Sequence, residues 1–357
     1  MQIVHVVGAR PNFMKAAPVI RSLSRRRETR QVLVHTGQHY DQNMSDVFFR
    51  ELELPEPDVN LAVGSGSHAE QTGQIMQRFE PVVLEQRPDL VMVYGDVNST
   101  IAAALVCAKL NIRVAHVEAG LRSFDRSMPE EINRLLTDQI ADLLLTPSED
   151  GDRNLLREGV PKERIHLVGN VMVDTLVRLL PKATNQFSVE LPKQFGLVTL
   201  HRPSNVDDPA NLTVLLRALS KISQSLPIIF PVHPRTRQKI EQLEIVPTER
   251  LRLWEPQSYL QFLALQQRAT VVITDSGGIQ EETTVLGTPC LTLRETTERP
   301  VTVEVGTNTM IGRDMDRLSG AVHAILEGKG KKGSIPSLWD GKAAERIADI
   351  VQALPCK

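Results

Sequence analysis

The stretch Asp275-Ser276-Gly277-Gly278-Ile279-Gln280-Glu281-Glu282 follows the continuous apolar run Val271–Thr274 and leads into Thr283-Thr284-Val285-Leu286-Gly287. An apolar run that passes through two glycines into a helical pattern reads as strand, turn and helix, the repeating unit of a parallel α/β sheet. Ser276 stands at the N-cap position, and Gly287-Thr288-Pro289 supplies the helix stop. The start of such a helix presents unpaired N–H groups and the positive end of the helix dipole. Glycines let an anion approach that backbone closely. Glu282 lies four residues past Gly278 on the same helix face, where a carboxylate can accept both hydroxyls of a ribose. The stretch therefore has two readings. One is a nucleotide diphosphate on Ser276, Gly277 and Gly278 with its ribose on Glu282; the other is a plain tight turn with a solvated acidic face.

The same pattern recurs along the chain. Apolar runs at Ile3–Val7, Val32–His35, Leu90–Tyr94, Val114–Val117 and Leu143–Thr146 form one set. Ile165–Val168, Leu197–Leu200, Ile228–Val232, Leu251–Trp254, Val271–Thr274 and Cys290–Leu293 form a second. They are continuously apolar rather than alternating, as strands covered on both faces should be. These eleven runs are too many for one comfortable sheet or for an eight-stranded barrel. A break near Val171–Glu190, with Pro181, Asn185 and Pro192 in or beside it, divides them. The expected fold is α/β, with two Rossmann-like doubly wound domains joined around residues 170 to 190. Residues 1–170 form the first domain, 171–338 the second, and 339–357 a C-terminal helix able to pack back on the first.

Composition narrows the function. The 357 residues are 41% apolar and 24% charged, with formal net charge −2. That balance gives no argument for nucleic acid or an anionic membrane as partner. Aromatics make up only 4%, too few for base-stacking platforms. Cys107, Cys290 and Cys356 show no CxxC spacing and are odd in number, which fits a reducing, cytoplasmic setting without a disulfide or zinc framework. The N-terminal MQIVHVVGARP reads as a first strand rather than a signal peptide, and no run reaches membrane-spanning length.

Ligands of doubly wound sheets bind beyond the carboxyl ends of the strands. Polar and ionisable residues gather at those ends, and two such ends facing each other would make an interdomain cleft. Gly8–Lys15 (GARPNFMK) has neither the GxGxxG fingerprint nor a Walker GK[ST]. Its Arg10 and Lys15 suit phosphate contact, or else mark a solvated basic helix start. Asp96 follows a strand directly and reads either as a functional acid or as a helix N-cap. Glu118 ends an apolar strand, where an acid needs a partner, and His116 lies two residues before it on the same face. Glu130 and Glu131 follow Pro129 and favour a helix start electrostatically. His201 closes another strand. No HExxH, no Cys/His cluster and no GxSxG occurs, so neither a metal nor the usual serine hydrolase is expected.

Taken in order, GARPNFMK, TGQH (Thr36–His39), YGDVNST, HVEAGLRS, MPEEINR, VTLHRPSN, PVHPR, EPQSYL, TDSGGIQEE and TTERP resemble the motifs of the non-hydrolysing UDP-N-acetylglucosamine 2-epimerases. The resemblance runs from residue 3 to about residue 312. It implies a GT-B-type fold with the active site in the cleft between the domains. It also implies interconversion of UDP-N-acetylglucosamine and UDP-N-acetylmannosamine, with no nicotinamide or other cofactor. The implied route eliminates UDP to an enzyme-bound 2-acetamidoglucal and adds it back with C2 inverted. By motif, the acid/base candidates fall on Asp96, Glu118 and Glu130, with His201 near the diphosphate. Nucleotide contacts fall on Arg10, Lys15, Gln257, Ser276, Gly277, Gly278, Glu282 and Arg299. The resemblance further implies a homodimer supplying surface-polysaccharide precursors.

Three departures stand out. His201-Arg202-Pro203-Ser204-Asn205 replaces the commoner HRREN. Glu70 precedes Gln71-Thr72 where many bacterial members carry Arg in a region that binds a second, activating substrate molecule. A carboxylate there would repel a diphosphate, so weakened activation is expected, and sigmoidal initial rates would count against it. Ser123–Met128 differs from the commoner Tyr-Ser-Pro form beside Glu130, which leaves open a modified sugar such as a 2,3-diacetamido uronic acid. A hydrolysing epimerase would release free sugar. A glycosyltransferase of the same fold would need an acceptor, and an inert nucleotide-sugar sensor would not need the acid/base set.

Overall fold

The computed structural model describes residues 1–26, 29–38, 51–186, 189–243 and 248–355, without the side chains of Arg10 and Gln186. His39 of the TGQH motif and Cys356 lie outside the described residues. The chain divides into two compact units, Met1–Arg178 with Ser337–Lys357, and Leu179–Pro336.

The first unit holds strands β1 (Gln2–Val7), β2 (Arg30–His35), β3 (Val59–Asn60), β4 (Leu90–Tyr94), β5 (Val114–Val117), β6 (Leu143–Thr146) and β7 (Ile165–Leu167). They form one sheet in the order β3-β2-β1-β4-β5-β6-β7, parallel at every pairing. Helices α1 (Arg10–Ser24), α2 (His68–Gln86), α3 (Asn98–Lys109), α4 (Pro129–Ile140), α5 (Glu149–Arg157) and α6 (Val171–Gln186) connect or follow them. Every residue of β4, β5 and β6 is buried, which is why these strands read as unbroken apolar runs. Strand order reverses between β1 and β4, the point where doubly wound sheets open a crevice.

The second unit repeats the plan with six strands: β8 (Gly196–Thr199), β9 (Ile228–Pro231), β10 (Leu251–Trp254), β11 (Val271–Thr274), β12 (Cys290–Thr292) and β13 (Asn308–Met310). Their order is β10-β9-β8-β11-β12-β13, again all parallel, with the reversal between β8 and β11. The helices are α7 (Pro203–Val206), α8 (Pro209–Ser223), α9 (Pro234–Gln242), α10 (Tyr259–Arg268), α11 (Gly277–Leu286), α12 (Pro300–Glu304) and α13 (Met315–Leu326).

Two strands escape a reading by apolar runs. β3 and β13 are two and three residues long, each includes an asparagine, and both lie at sheet edges. The stretch read as a break at 171–190 is largely helix α6, with Pro181 inside it. Burial of Val171, Val173 and Leu176 along that helix outweighs the hydrogen bond that proline removes. The C-terminal helix Ala343–Gln352 packs against α1 within the first unit and buries Ile347 and Val351. Its first N–H groups, from Ala343 and Ala344, donate to the Asp174 carboxylate at 3.1 and 2.7 Å. No helix among the described residues is long and apolar enough to cross a membrane.

Candidate active site

In the first unit, the turn after β1 is tied to the end of β4. The Asn12 side chain accepts the N–H groups of Gly8 and Ala9 at 3.1 Å and donates to the Tyr94 carbonyl at 2.7 Å. One helical turn on, Lys15 is buried and its ammonium pairs with the Glu118 carboxylate, itself only 6% exposed. Lys15, expected at a diphosphate, thus directs its charge to an acid instead. Glu118 follows β5 with φ +74°, a left-handed backbone conformation uncommon for any residue but glycine. Such strain persists only where the surroundings hold it, and it concentrates at functional sites. Gly95 makes the space for the pair: a Cβ there would lie 2.7 Å from Lys15 Nζ and 3.2 Å from Glu118 Oε2. Arg10 opens α1, but its side chain falls outside the described set.

Asp96 comes next. It is not a helix cap, since α3 starts at Asn98 and its cap position is Val97. Its Oδ2 instead lies 2.5 Å from Arg134 Nη1, and its carbonyl accepts Asn133 Nδ2 at 2.9 Å. Arg134 Nε donates to Glu131, which also accepts both the N–H and the O–H of Ser123 and the N–H of Phe124, all at 3.0 Å. The two adjacent acids therefore divide. Glu131 is buried and holds the Ser123–Phe124 loop, whereas Glu130 is half-buried and no hydrogen bond or ion pair engages its carboxylate among the described residues. Phe124 is 75% exposed at φ +58°.

His116 lies beneath this cluster, fully buried. Its Nδ1 is 2.6 Å from Asp138 Oδ1 and its Nε2 is 2.8 Å from the Gly95 carbonyl oxygen. Asp138 also receives Arg122 Nη1 at 2.7 Å and the Gly120 N–H at 3.0 Å. Burial acts to raise its pKa, but the charges and hydrogen bonds of His116 and Arg122 outweigh it and hold the carboxyl below the usual range. Sequence reasoning missed Arg134 and Asp138. The signal was available: Glu131, Arg134 and Asp138, at spacings of three and four, all lie on the buried face of α4.

In the second unit, β8 leads to His201 and β11 leads to Asp275. The Asp275 carboxylate has no solvent exposure. It accepts the N–H groups of His201 and Arg202 at 3.1 and 3.0 Å, Asn205 Nδ2 at 2.9 Å and His201 Nδ1 at 2.9 Å. Burial alone would raise its pKa; the hydrogen bond and charge of His201, with Asn205 and the Arg202 N–H, lower it below the ordinary value. The imidazole of His201 is 63% exposed. Where the commoner motif reads HRREN, this chain keeps the final asparagine, and Asn205 bridges Asp275 and the Leu293 carbonyl. Pro203 takes the first position of α7, where its missing N–H removes no helical bond.

Ser276 occupies the N-cap position of α11, but its side chain makes no capping bond, contrary to expectation. Its N–H turns back to Thr274 Oγ1 at 3.0 Å instead. A Cβ on Gly277 would lie 2.5 Å from Arg299 Nη1 and 2.7 Å from Glu298 Oε1, so glycine is what lets the arginine reach the helix start. Arg299 is held there by Glu281, whose Oε1 accepts Nε at 2.7 Å, and by Glu298. Glu282 is buried and accepts Tyr259 Oη at 2.9 Å and Gln266 Nε2 at 2.5 Å. Burial raises its pKa against the effect of those two bonds. A carboxylate has about four lone-pair sites, so Glu282 keeps acceptor capacity. Gln257 lies between β10 and α10 and donates to the Glu255 carbonyl at 2.7 Å. Among the described residues, no group of three or more His, Cys, Asp or Glu is placed to hold a metal.

Two all-parallel doubly wound sheets, one carrying clustered acids and the other a glycine-opened helix start, define an α/β enzyme of the nucleotide-binding class. The family model described as UDP-N-acetylglucosamine 2-epimerase matches residues 21–352. The chain is 43% identical to the UDP-N-acetylglucosamine 2-epimerase of Methanocaldococcus jannaschii, over 98% of this chain and 99% of that protein. It is 40% identical to the UDP-2,3-diacetamido-2,3-dideoxy-D-glucuronate 2-epimerase of Pseudomonas aeruginosa, over 99% and 100%. The crystal structure of the Methanocaldococcus jannaschii UDP-GlcNAc 2-epimerase in complex with UDP-GlcNAc and UDP matches with TM-score 0.89 and 42% identity, over 99% of each chain. The chain belongs to the UDP-N-acetylglucosamine 2-epimerase family.

Proposed function

We propose that this enzyme interconverts UDP-N-acetylglucosamine and UDP-N-acetylmannosamine without net hydrolysis. The observation that carries the reading is the buried Lys15–Glu118 pair at a strained turn beside Asp96. A base removes the C2 proton, its bonding pair forms the C1=C2 double bond, and the C1–O bond breaks with its pair leaving on UDP. Re-addition of UDP at C1, with a proton delivered to the opposite face of C2, gives the epimer. Asp96, Glu118 and Glu130 supply the base and the acid, and Lys15 compensates the charge of Glu118 in its buried position. The open N–H groups of Gly277 and Gly278, with the Ser276 side chain, which makes no capping bond, hold the diphosphate together with Arg299. His201 lies near the diphosphate, Glu282 takes the ribose, and Arg10 and Gln257 complete the nucleotide contacts.

The 40% identity to a diacetamido-uronate epimerase supports a second substrate reading, a modified UDP sugar processed by the same steps. Proton NMR in deuterated water separates these outcomes. UDP-N-acetylglucosamine converting to UDP-N-acetylmannosamine with deuterium at C2 and no free sugar is the expected result. Free N-acetylmannosamine and UDP would mean a hydrolysing enzyme. No reaction except with the diacetamido uronate would select the second substrate. A cytoplasmic homodimer that supplies polysaccharide precursors completes the proposal, and sedimentation of the purified chain tests its dimeric state.

A further inference from the structure

The second sheet reverses order between β8 and β11, which pair along Gly196–Thr199 and Val271–Thr274. One side chain from the end of each strand meets its counterpart here: His201 after β8 and Asp275 after β11, with Nδ1 and Oδ1 2.9 Å apart. A histidine this exposed would ordinarily sample several rotamers. This one is held by a carboxylate with no exposure of its own, fixed in turn by two backbone N–H groups and the Asn205 amide. An ionised carboxylate only accepts hydrogen bonds, so Nδ1 carries the hydrogen and Nε2 is left at the free edge of the ring. The residues that immediately follow Asp275 are Ser276 and Gly277, which open α11. One turn therefore both holds the imidazole and presents N–H groups to an anion.

Resting on the proposed function, we infer that Asp275 is the positioning residue for His201, fixing its ring so that Nε2 addresses the diphosphate held at the start of α11. In the nucleotide complex the ring donates from both nitrogens, Nδ1 to Asp275 and Nε2 to a diphosphate oxygen. Asp275 balances the imidazolium while the departing UDP gathers charge. The carboxylate acts through the histidine and touches no substrate atom.

The test combines a double-mutant cycle with ring-nitrogen NMR on the full-length protein. Asp275→Asn is expected to lower kcat about 10- to 100-fold, in the range of a general acid–base contribution. In a His201→Gln background the same change should cost no more than about 2- to 3-fold, because its target is gone. An equal loss in both backgrounds would overturn the inference and leave Asp275 as a scaffold for the loop alone. In wild-type protein with UDP bound, 15N spectra should show His201 protonated at both Nδ1 and Nε2, assigned by the signals lost in His201→Gln. A ring protonated at only one nitrogen would overturn the inference as well. This spectrum decides the matter even if Asp275→Asn does not fold. It also stands apart from the substrate reading, since it needs UDP binding and no turnover.

Discussion

The two units share one topology and put it to different chemical use. Each is a parallel sheet whose strand order reverses after its first strand, and each places some of its candidate site residues just past the two strands that flank that reversal. In the first unit the strand ends at the reversal and on the neighbouring β5 carry side-chain charge: Lys15 against Glu118, Arg134 against Asp96 and Glu131, His116 against Asp138. In the second the offering is backbone, with Gly277 and Gly278 opening α11, and the buried acids Glu281 and Glu298 serve to hold Arg299. Moving a proton requires ionisable groups fixed in advance, whereas holding a diphosphate requires N–H groups and a cation. The fold supplies the crevice in both cases, and the side chains decide which chemistry occupies it.

Breaking the first unit's charge pairing should give the largest effect. Lys15→Ala leaves the Glu118 carboxylate buried without its cation, which costs about 3–5 kcal/mol of stability. Epimerisation should fall about 1,000-fold or more, a loss of about 4 kcal/mol in transition-state stabilisation. UDP affinity by calorimetry should change less than about 3-fold. If affinity collapses along with the rate, Lys15 belongs to the diphosphate as the sequence alone had it, and the contrast between the units weakens. Gly277→Ala should do the reverse. Its Cβ meets the Arg299 guanidinium and displaces it, so UDP should bind about 10- to 100-fold more weakly, a loss of about 1.4–2.8 kcal/mol. The rate at saturating substrate should fall by less than the affinity does.

The parts of this arrangement that were legible in the sequence are those carried by local pattern. Continuous apolar runs revealed eleven of the thirteen strands found among the described residues, and four of those runs, β1, β4, β8 and β11, end at the sheet reversals. What stayed hidden depends on partners far apart in the chain. Nothing near Lys15 announces that Glu118, 103 residues on, receives its charge. Asp275 looked like the opening of a glycine turn, and its hold on His201, 74 residues away, exists only once β8 and β11 lie side by side. Glu70 teaches a different lesson. It was read only for its effect on an activating ligand, yet it closes a capping box on α2, accepting the Ser67 N–H at 2.9 Å while Ser67 Oγ accepts its own N–H at 3.2 Å. A local structural duty explains an acid at that position whether or not a ligand comes near.

The smallest predicted effect lies away from both reversals and shows what a buried acid does when no cation answers it. Asp174 accepts the first N–H groups of the C-terminal helix, but burial dominates and pushes its pKa from 3.8 up to about 6. Glu118 has Lys15, and Asp138 has His116 and Arg122; beside Asp174 the arginine Arg346 is offset by Asp340. A folded-state pKa above the unfolded value means the native protein binds the proton more tightly. The resulting stability is complete below about pH 4 and is lost as pH rises through 6. Between pH 5 and pH 7 this group should remove about 1.4 kcal/mol, since one pKa unit corresponds to about 1.36 kcal/mol. Asp174→Asn cannot titrate and should flatten that part of the urea-denaturation profile, narrowing or reversing its stability deficit against wild type as pH rises. A wild-type profile that keeps the same slope after the substitution would show that Asp174 is not the group responsible.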